Sequence, residues 1–231
     1  AAAGTGIGFA TATRCAEEGA RVVISDKHER RLGESAKSLG VLGVPCDVTD
    51  EATVQALFAA AAQELGTIDV VVNNAGLGGT AELHTMTDEQ WTRVLDVTLN
   101  GTFRCTRAAL NHMYANGRGV IVNNASVIGW RAQAGQAHYA AAKAGVMALT
   151  RCAAIEAAEH GVRVNAVAPS LAMHANLAKV TTDDLLEALA SREAFGRAAE
   201  PWEVANVIVF LASDYSGYMT GEVVSVSSQH P

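Results

Sequence analysis

Six short runs rich in β-branched residues alternate with alanine-rich stretches, and this alternation constrains the fold more than any other feature. The runs lie at 20–26, 41–46, 68–75, 119–126, 162–169 and 222–227. Helical stretches fall between them at 7–18, 27–38, 51–65, 88–115, 138–160 and 201–212. Near-continuous apolar strands separated by helices predict an α/β fold: a doubly wound, Rossmann-like parallel sheet covered on both faces. No repeat, linker or low-complexity segment interrupts the pattern, so one domain is expected over residues 1–231. Residues 171–199 break the alternation and read as an insertion covering one end of the sheet.

A glycine-rich turn stands at the very start of the chain, with no apolar run before it. Such a turn follows the first, central strand of a doubly wound sheet. The reading therefore expects a leading strand that these residues do not include. The link between the second helical stretch and the run from Val41 is essentially Gly40 alone. Ordinary connections take roughly 2–6 residues, so a few residues are expected to be missing there too.

Composition narrows the functional classes. With 49% hydrophobic and 18% charged residues the chain reads as globular rather than disordered. A net charge of −7 argues against nucleic acid or an anionic membrane as a partner. The apolar runs are too short to span a membrane, and no secretory signal opens the chain. The four cysteines, Cys15, Cys46, Cys105 and Cys152, show no metal-binding spacing. They read as reduced, mostly buried thiols of a cytoplasmic protein, with no metal site expected.

Polar residues collect where the predicted strands end. Gly4, Thr5, Gly6, Ile7 and Gly8 form a turn running into a helix, able to admit a pyrophosphate at the helix N-terminus or to serve as a plain tight turn. Asp26 closes the next run, followed by Lys27. Its carboxylate suits an adenosine ribose and disfavours a 2′-phosphate, although an Asp there also suits a helix cap. Asp47 and Val48 follow the second run as candidate adenine contacts; Asp50 just beyond suits a cap of the following helix, so local capping competes with that role. Asn74, Ala75 and Gly76 end the third run, and their amides suit either a turn or a clamp between strand ends beside a cofactor. Ser126 ends the fourth run, and Pro169 and Ala172 follow the fifth. In an open parallel sheet, this edge is where ligands bind.

Tyr139 and Lys143 stand four positions apart and share one helix face. Hydride transfer at a carbinol carbon needs a proton acceptor at the alcohol oxygen, and a free phenol titrates too high for that work at neutral pH. A neighbouring ammonium is expected to lower it. Lys143 is expected to bind the nicotinamide ribose as well, and Ser126 to hold the substrate oxygen.

The glycine turn, Asp26, the CDVTD, NNAG and YAAAK segments, Ser126 and VRVNAVAP together resemble the compact short-chain dehydrogenase/reductase family, over nearly the whole chain. The texture is similar to 3-oxoacyl-carrier-protein reductases and actinobacterial hydroxyacyl-CoA dehydrogenases. The resemblance implies a seven-stranded sheet in the order 3-2-1-4-5-6-7, catalytic roles for Ser126, Tyr139 and Lys143, and a homotetramer. Departures are visible. Ala2 replaces the first family glycine, and Thr98 takes the place of the asparagine that helps hold a relay water. Ser170 follows Pro169 where the family has glycine, His174 replaces a threonine, and the tail SVSSQHP lacks a closing diglycine.

The stretch after Pro169 is mostly small and aliphatic, which predicts a substrate with an apolar portion. Trp130 is a second candidate for lining that pocket. Arg131, Lys179, Arg192 and Arg197 read either as phosphate contacts for a carrier or coenzyme A, or as solvated surface. The expectation is an oxidoreductase moving a hydride between NAD(H), with NADP not excluded, and a secondary alcohol or ketone such as a hydroxyacyl-CoA or steroid-derived compound. The alternative is a dinucleotide-binding sensor or assembly subunit without turnover.

Overall fold

The computed structural model describes residues 6–172 and 183–229. Six strands form at the six apolar runs: β1 (Val23–Asp26), β2 (Leu42–Pro45), β3 (Val70–Asn73), β4 (Gly119–Asn124), β5 (Val162–Pro169) and β6 (Val223–Val226). All pair in parallel, β1 with β2 and then β3-β4-β5-β6. This is the expected α/β architecture, in the family order with one central position open.

That opening is a slot between β1 and β3, with a cavity of about 400 Å³. Ile24, Val71, Val72, Phe58 and Ala61 are among its apolar walls. No strand pairing among the described residues joins the two sheets across it.

The helices are α1 (Ile7–Glu17), α2 (Glu29–Leu39), α3 (Glu51–Leu65), α4 (Asp88–Leu95), α5 (Gly101–Asn116), α6 (Ala137–Ala158), α7 (Asp183–Ala190) and α8 (Pro201–Ala212). One apolar layer packs Phe58 of α3, Met113 of α5 and Ala154 of α6 against Ile121 and Val164. On the opposite face Val204, Ile208 and Leu211 of α8, with Ile7 of α1, pack on Val122 and Val167. Successive strand residues thus serve opposite layers, as a doubly wound sheet requires.

Two expectations are corrected. The stretch 88–115 is not one continuous helix, because a π-helical turn over Asp96–Asn100 separates α4 from α5. The widened turn brings the Thr98 side chain inward, fully buried. Cys46 and Cys105 are buried but Cys152 is exposed. Burial pushes the Cys105 thiol up to about 12, so it is an inert core residue.

The short link at Gly40 closes in one step. Gly40 adopts φ 67°, ψ 34°, a left-handed cap that turns the chain from α2 directly toward β2. Of the insertion, α7 and the turn after it are described. Its base is closed by a parallel bridge between Ala172 and Ala199. No helix among the described residues is long and apolar enough to cross a membrane.

Candidate active site

The C-terminal strand ends are joined by side-chain amides. Asn73 Nδ2 donates to Asn123 Oδ1 at 2.9 Å and to Thr106 Oγ1 at 3.1 Å, while Asn123 Nδ2 donates to Thr150 Oγ1 at 2.9 Å. One residue further on, Asn124 Nδ2 donates to Asn74 Oδ1 at 2.7 Å. These bonds lock β3 and β4 in register and satisfy polar groups that burial would otherwise penalise. The clamp reading of the NNAG segment is the one observed.

Above this clamp stand the three candidate catalytic side chains. Ser126 caps a short 3₁₀ turn, its Oγ accepting from Ile128 N–H at 3.3 Å and donating to the Pro169 carbonyl at 3.4 Å. Tyr139 lies in the first turn of α6, close enough to Ser126 for the serine hydroxyl to act on its phenol. Lys143 follows one turn later, only 3% exposed, its Nζ 2.5 Å from the Asn124 carbonyl oxygen and 5.6 Å from the Tyr139 ring centre.

The electrostatics differ from the expectation. Burial raises the Tyr139 phenol, and the Ser126 hydrogen bond only partly offsets this. Burial also lowers Lys143 to about 8. Both are one effect, since a low-dielectric site disfavours the charged form of either group. In this structure desolvation, not the ammonium, dominates the phenol.

Thr98 Oγ1 accepts from Leu77 N–H at 3.0 Å and donates to the Leu77 carbonyl at 3.1 Å. Its hydroxyl pins the loop after β3 instead of pointing at Tyr139. Gly76, in that loop, faces the lysine. A Cβ there would lie 3.5 Å from Lys143 Nζ and 4.0 Å from Thr98 Oγ1, so a longer side chain would crowd the ammonium.

The other predicted contacts sit along the same edge. Asp26, 8% exposed, accepts from His28 N–H at 2.8 Å through one carboxylate oxygen; this closes a local turn rather than capping α2, whose N-cap is His28, and it leaves the second oxygen available. Lys27 beside it is exposed. Asp47 accepts from Thr49 N–H at 3.0 Å and from Thr49 Oγ1 at 2.8 Å, and these bonds hold its carboxyl below the ordinary range. Asp47 thus closes a local turn, and the cap of α3 is Asp50, which accepts from Ala52 N–H. Val48 is fixed by its carbonyl, which accepts from Arg104 at 3.2 Å. Ala75 lies in the loop after β3, and Pro169 and Ala172 lie at the exit of β5. Gly6 is the N-cap of α1 and has no side chain to cap it, so among the described residues no side chain caps the first turn through Ile7 and Gly8. Gly4, Thr5, His174 and Lys179 lie outside the described residues. Sequence reasoning missed Asn124, whose backbone carbonyl receives Lys143; only its side-chain bond to Asn74 was signalled, by the doubled asparagine repeated at the ends of β3 and β4.

A family model described as enoyl-(acyl carrier protein) reductase matches residues 1–228. A Mycobacterium tuberculosis (strain ATCC 25618 / H37Rv) protein, (5R,7aS)-5-hydroxy-7a-methyl-1-oxo-2,3,5,6,7,7a-hexahydro-1H-indene-carboxyl-CoA reductase, is 64% identical over 238 aligned residues, spanning 100% of this chain and 91% of its own. The chain belongs to the short-chain dehydrogenase/reductase family. Another member, cis-4-hydroxycyclohexanecarboxylate dehydrogenase of Sinomonas cyclohexanicum, is 44% identical across 97% of this chain and 92% of its own. The crystal structure of a short chain dehydrogenase from Mycobacterium smegmatis matches with a TM-score of 0.88 at 59% identity, covering 100% of this chain and 90% of that one.

As a short-chain dehydrogenase/reductase, the chain is an NAD(P)-dependent oxidoreductase that transfers a hydride between a nicotinamide and an alcohol or ketone. The reading as a subunit without turnover gives way to this membership. The residues present fit a dinucleotide: the N-terminus of α1 at Gly6, the second oxygen of Asp26, and Gly76, whose lack of a side chain lets the loop after β3 pass close to Lys143. Asn124 Oδ1, buried and without a partner, is a further polar atom at the same edge.

Proposed function

We propose that this enzyme uses NAD(H) and interconverts a ring ketone and a ring secondary alcohol on an alicyclic acid or its coenzyme A thioester. The observation that carries the proposal is the joint placement of Ser126, Tyr139 and Lys143 at one strand edge, the phenol within reach of the serine and the cation one helical turn away, 5.6 Å from the ring centre. The names of two relatives support the substrate class: each describes a hydroxylated ring that also carries a carboxyl group, in one case as a CoA ester. The aliphatic insertion supports an apolar substrate portion.

In the reduction direction Tyr139, kept protonated by burial, donates its proton to the carbonyl oxygen as that oxygen becomes an alkoxide. Ser126 orients the same oxygen and shares its developing charge. Lys143 holds a positive charge under the phenol below pH about 8, which stabilises the phenolate left after proton transfer. The bound nicotinamide supplies or accepts the hydride. Asp26 supports the preference for NAD over NADP, because a buried carboxylate disfavours a neighbouring phosphate.

The remaining assignments follow from the same reading. The chain acts as one cytoplasmic domain in lipid or ring breakdown, with 171–199 as its substrate cover. It assembles as a homotetramer, which is supported by exposed apolar side chains on α5 and α6 (Phe103, Ile155) and on and after α8 (Trp202, Phe210, Tyr215, Tyr218). The test is a nicotinamide-absorbance screen of 4-oxocyclohexanecarboxylate, its CoA thioester and acetoacetyl-CoA with NADH and NADPH. The proposal expects the ring ketones with NADH to be the fastest pair. Turnover confined to acetoacetyl-CoA with NADPH would overturn it.

A further inference from the structure

Glu193 is a carboxylate only 3% exposed, in a segment otherwise dominated by small and aliphatic residues. A buried charge is costly unless its lone pairs are satisfied. Here the partners are neutral donors from two distant segments. Oε2 accepts from Ser170 Oγ at 3.0 Å, Ser228 Oγ at 3.0 Å and Ser228 N–H at 3.3 Å, and Oε1 accepts from Leu171 N–H at 3.4 Å.

These partners explain two departures already noted. Ser170 stands where the family pattern has glycine, and Ser228 lies in the tail that lacks the diglycine. Both hydroxyls converge on one carboxylate. The knot is reinforced by backbone: Ala194 N–H donates to the Ser228 carbonyl, Ser170 N–H to the Val226 carbonyl and Ala199 N–H to the Leu171 carbonyl. Gln229 forms an antiparallel bridge with Glu193 and accepts from Arg131, in the segment between Ser126 and Tyr139.

The knot sits one peptide from the site. The carbonyl of Pro169, directly before Ser170, accepts the Ser126 hydroxyl. We propose that Glu193 is a positioning residue for the dinucleotide: with Ser170 and Ser228 it fixes the Pro169–Ala172 turn, the wall of the crevice assigned to the cofactor. Charge-assisted hydrogen bonds suit this task because they are directional and strong. A glycine at 170 would leave the turn free to sample other conformations. The inference rests on the reading of this crevice as a nicotinamide dinucleotide site.

The experiment measures NADH binding by nicotinamide fluorescence in Ser170→Gly, Ser170→Thr and Glu193→Gln, with thermal unfolding recorded for each. Asp50→Ala, which removes the remote N-cap of α3, serves as a control that lowers stability alone. Ser170→Gly and Glu193→Gln are expected to raise the NADH dissociation constant about tenfold, the range lost with one charge-assisted bond. Ser170→Thr, which keeps the hydroxyl, is expected to stay within about twofold of the parent, as is Asp50→Ala. If Glu193→Gln does not fold, Ser170→Gly decides. Parent-like NADH affinity in folded Ser170→Gly overturns the positioning role alone. A parent enzyme that binds no NADH overturns this role and the functional reading together.

Discussion

Lys143 donates its buried ammonium to the backbone carbonyl of Asn124 at 2.5 Å, tying α6 to the last residue of β4. No carboxylate pairs with that cation among the described residues. The charge is held for function at a cost in stability. Folding lowers Lys143 from 10.5 to about 8, a difference equivalent to about 3 kcal/mol. Between those pH values the unfolded chain binds more protons than the folded one, so stability rises with pH. The cost is present in full below about pH 8 and fades toward 10.5. Lys143→Met is expected to abolish turnover while raising the melting temperature by about 5 °C at pH 7. Thermal unfolding across pH 7 to 10 checks this, since the gap from the parent should narrow as pH rises.

Asn123 has no exposed surface and bonds both ways, to Asn73 and to Thr150. Asn123→Ala removes both bonds and leaves a void among polar partners. The expected loss is about 2–4 kcal/mol, read as a lower urea midpoint with an unchanged slope.

Thr98 spends its hydroxyl on both backbone groups of Leu77. Thr98→Val keeps the shape and strands those groups, with an expected loss of about 1–3 kcal/mol. Thr98→Ser keeps the hydroxyl and should stay close to the parent. Paired denaturation curves separate the two, and equal stability of the valine and serine variants would show that the pin contributes nothing.

Asp26 offers one carboxylate oxygen beyond its bond to His28. Asp26→Ser removes the charge that disfavours a phosphate. The ratio of NADPH to NADH affinity is expected to rise at least about tenfold, measured by fluorescence titration of both cofactors.

The strands and the polar strand edge were legible because hydrophobic periodicity and turn residues report directly on local structure, while the strand order came only from the resemblance to the family. Asp50 as the cap of α3 belongs to the same class of signal. What stayed hidden depends on contacts at a distance. The π turn around Thr98 has the composition of any helix, and its cause is the reach to Leu77. The Lys143 acceptor is a backbone carbonyl, which no residue letter marks. The four-residue spacing of Tyr139 and Lys143 reveals a shared face but not how far burial outweighs their charge coupling. Glu193 looked like one charge in an aliphatic cover until the fold brought Ser170 and Ser228 to it.

The central claim is that the Tyr139 hydroxyl moves the proton. Tyr139→Phe deletes one oxygen from a side chain already held in the first turn of α6, so NADH affinity should remain within about twofold of the parent. Single-turnover reduction of 4-oxocyclohexanecarboxyl-CoA by bound NADH is the direct measurement. The account predicts a rate at least about a hundredfold below the parent. A rate within about threefold of the parent, at equal cofactor occupancy, would contradict it.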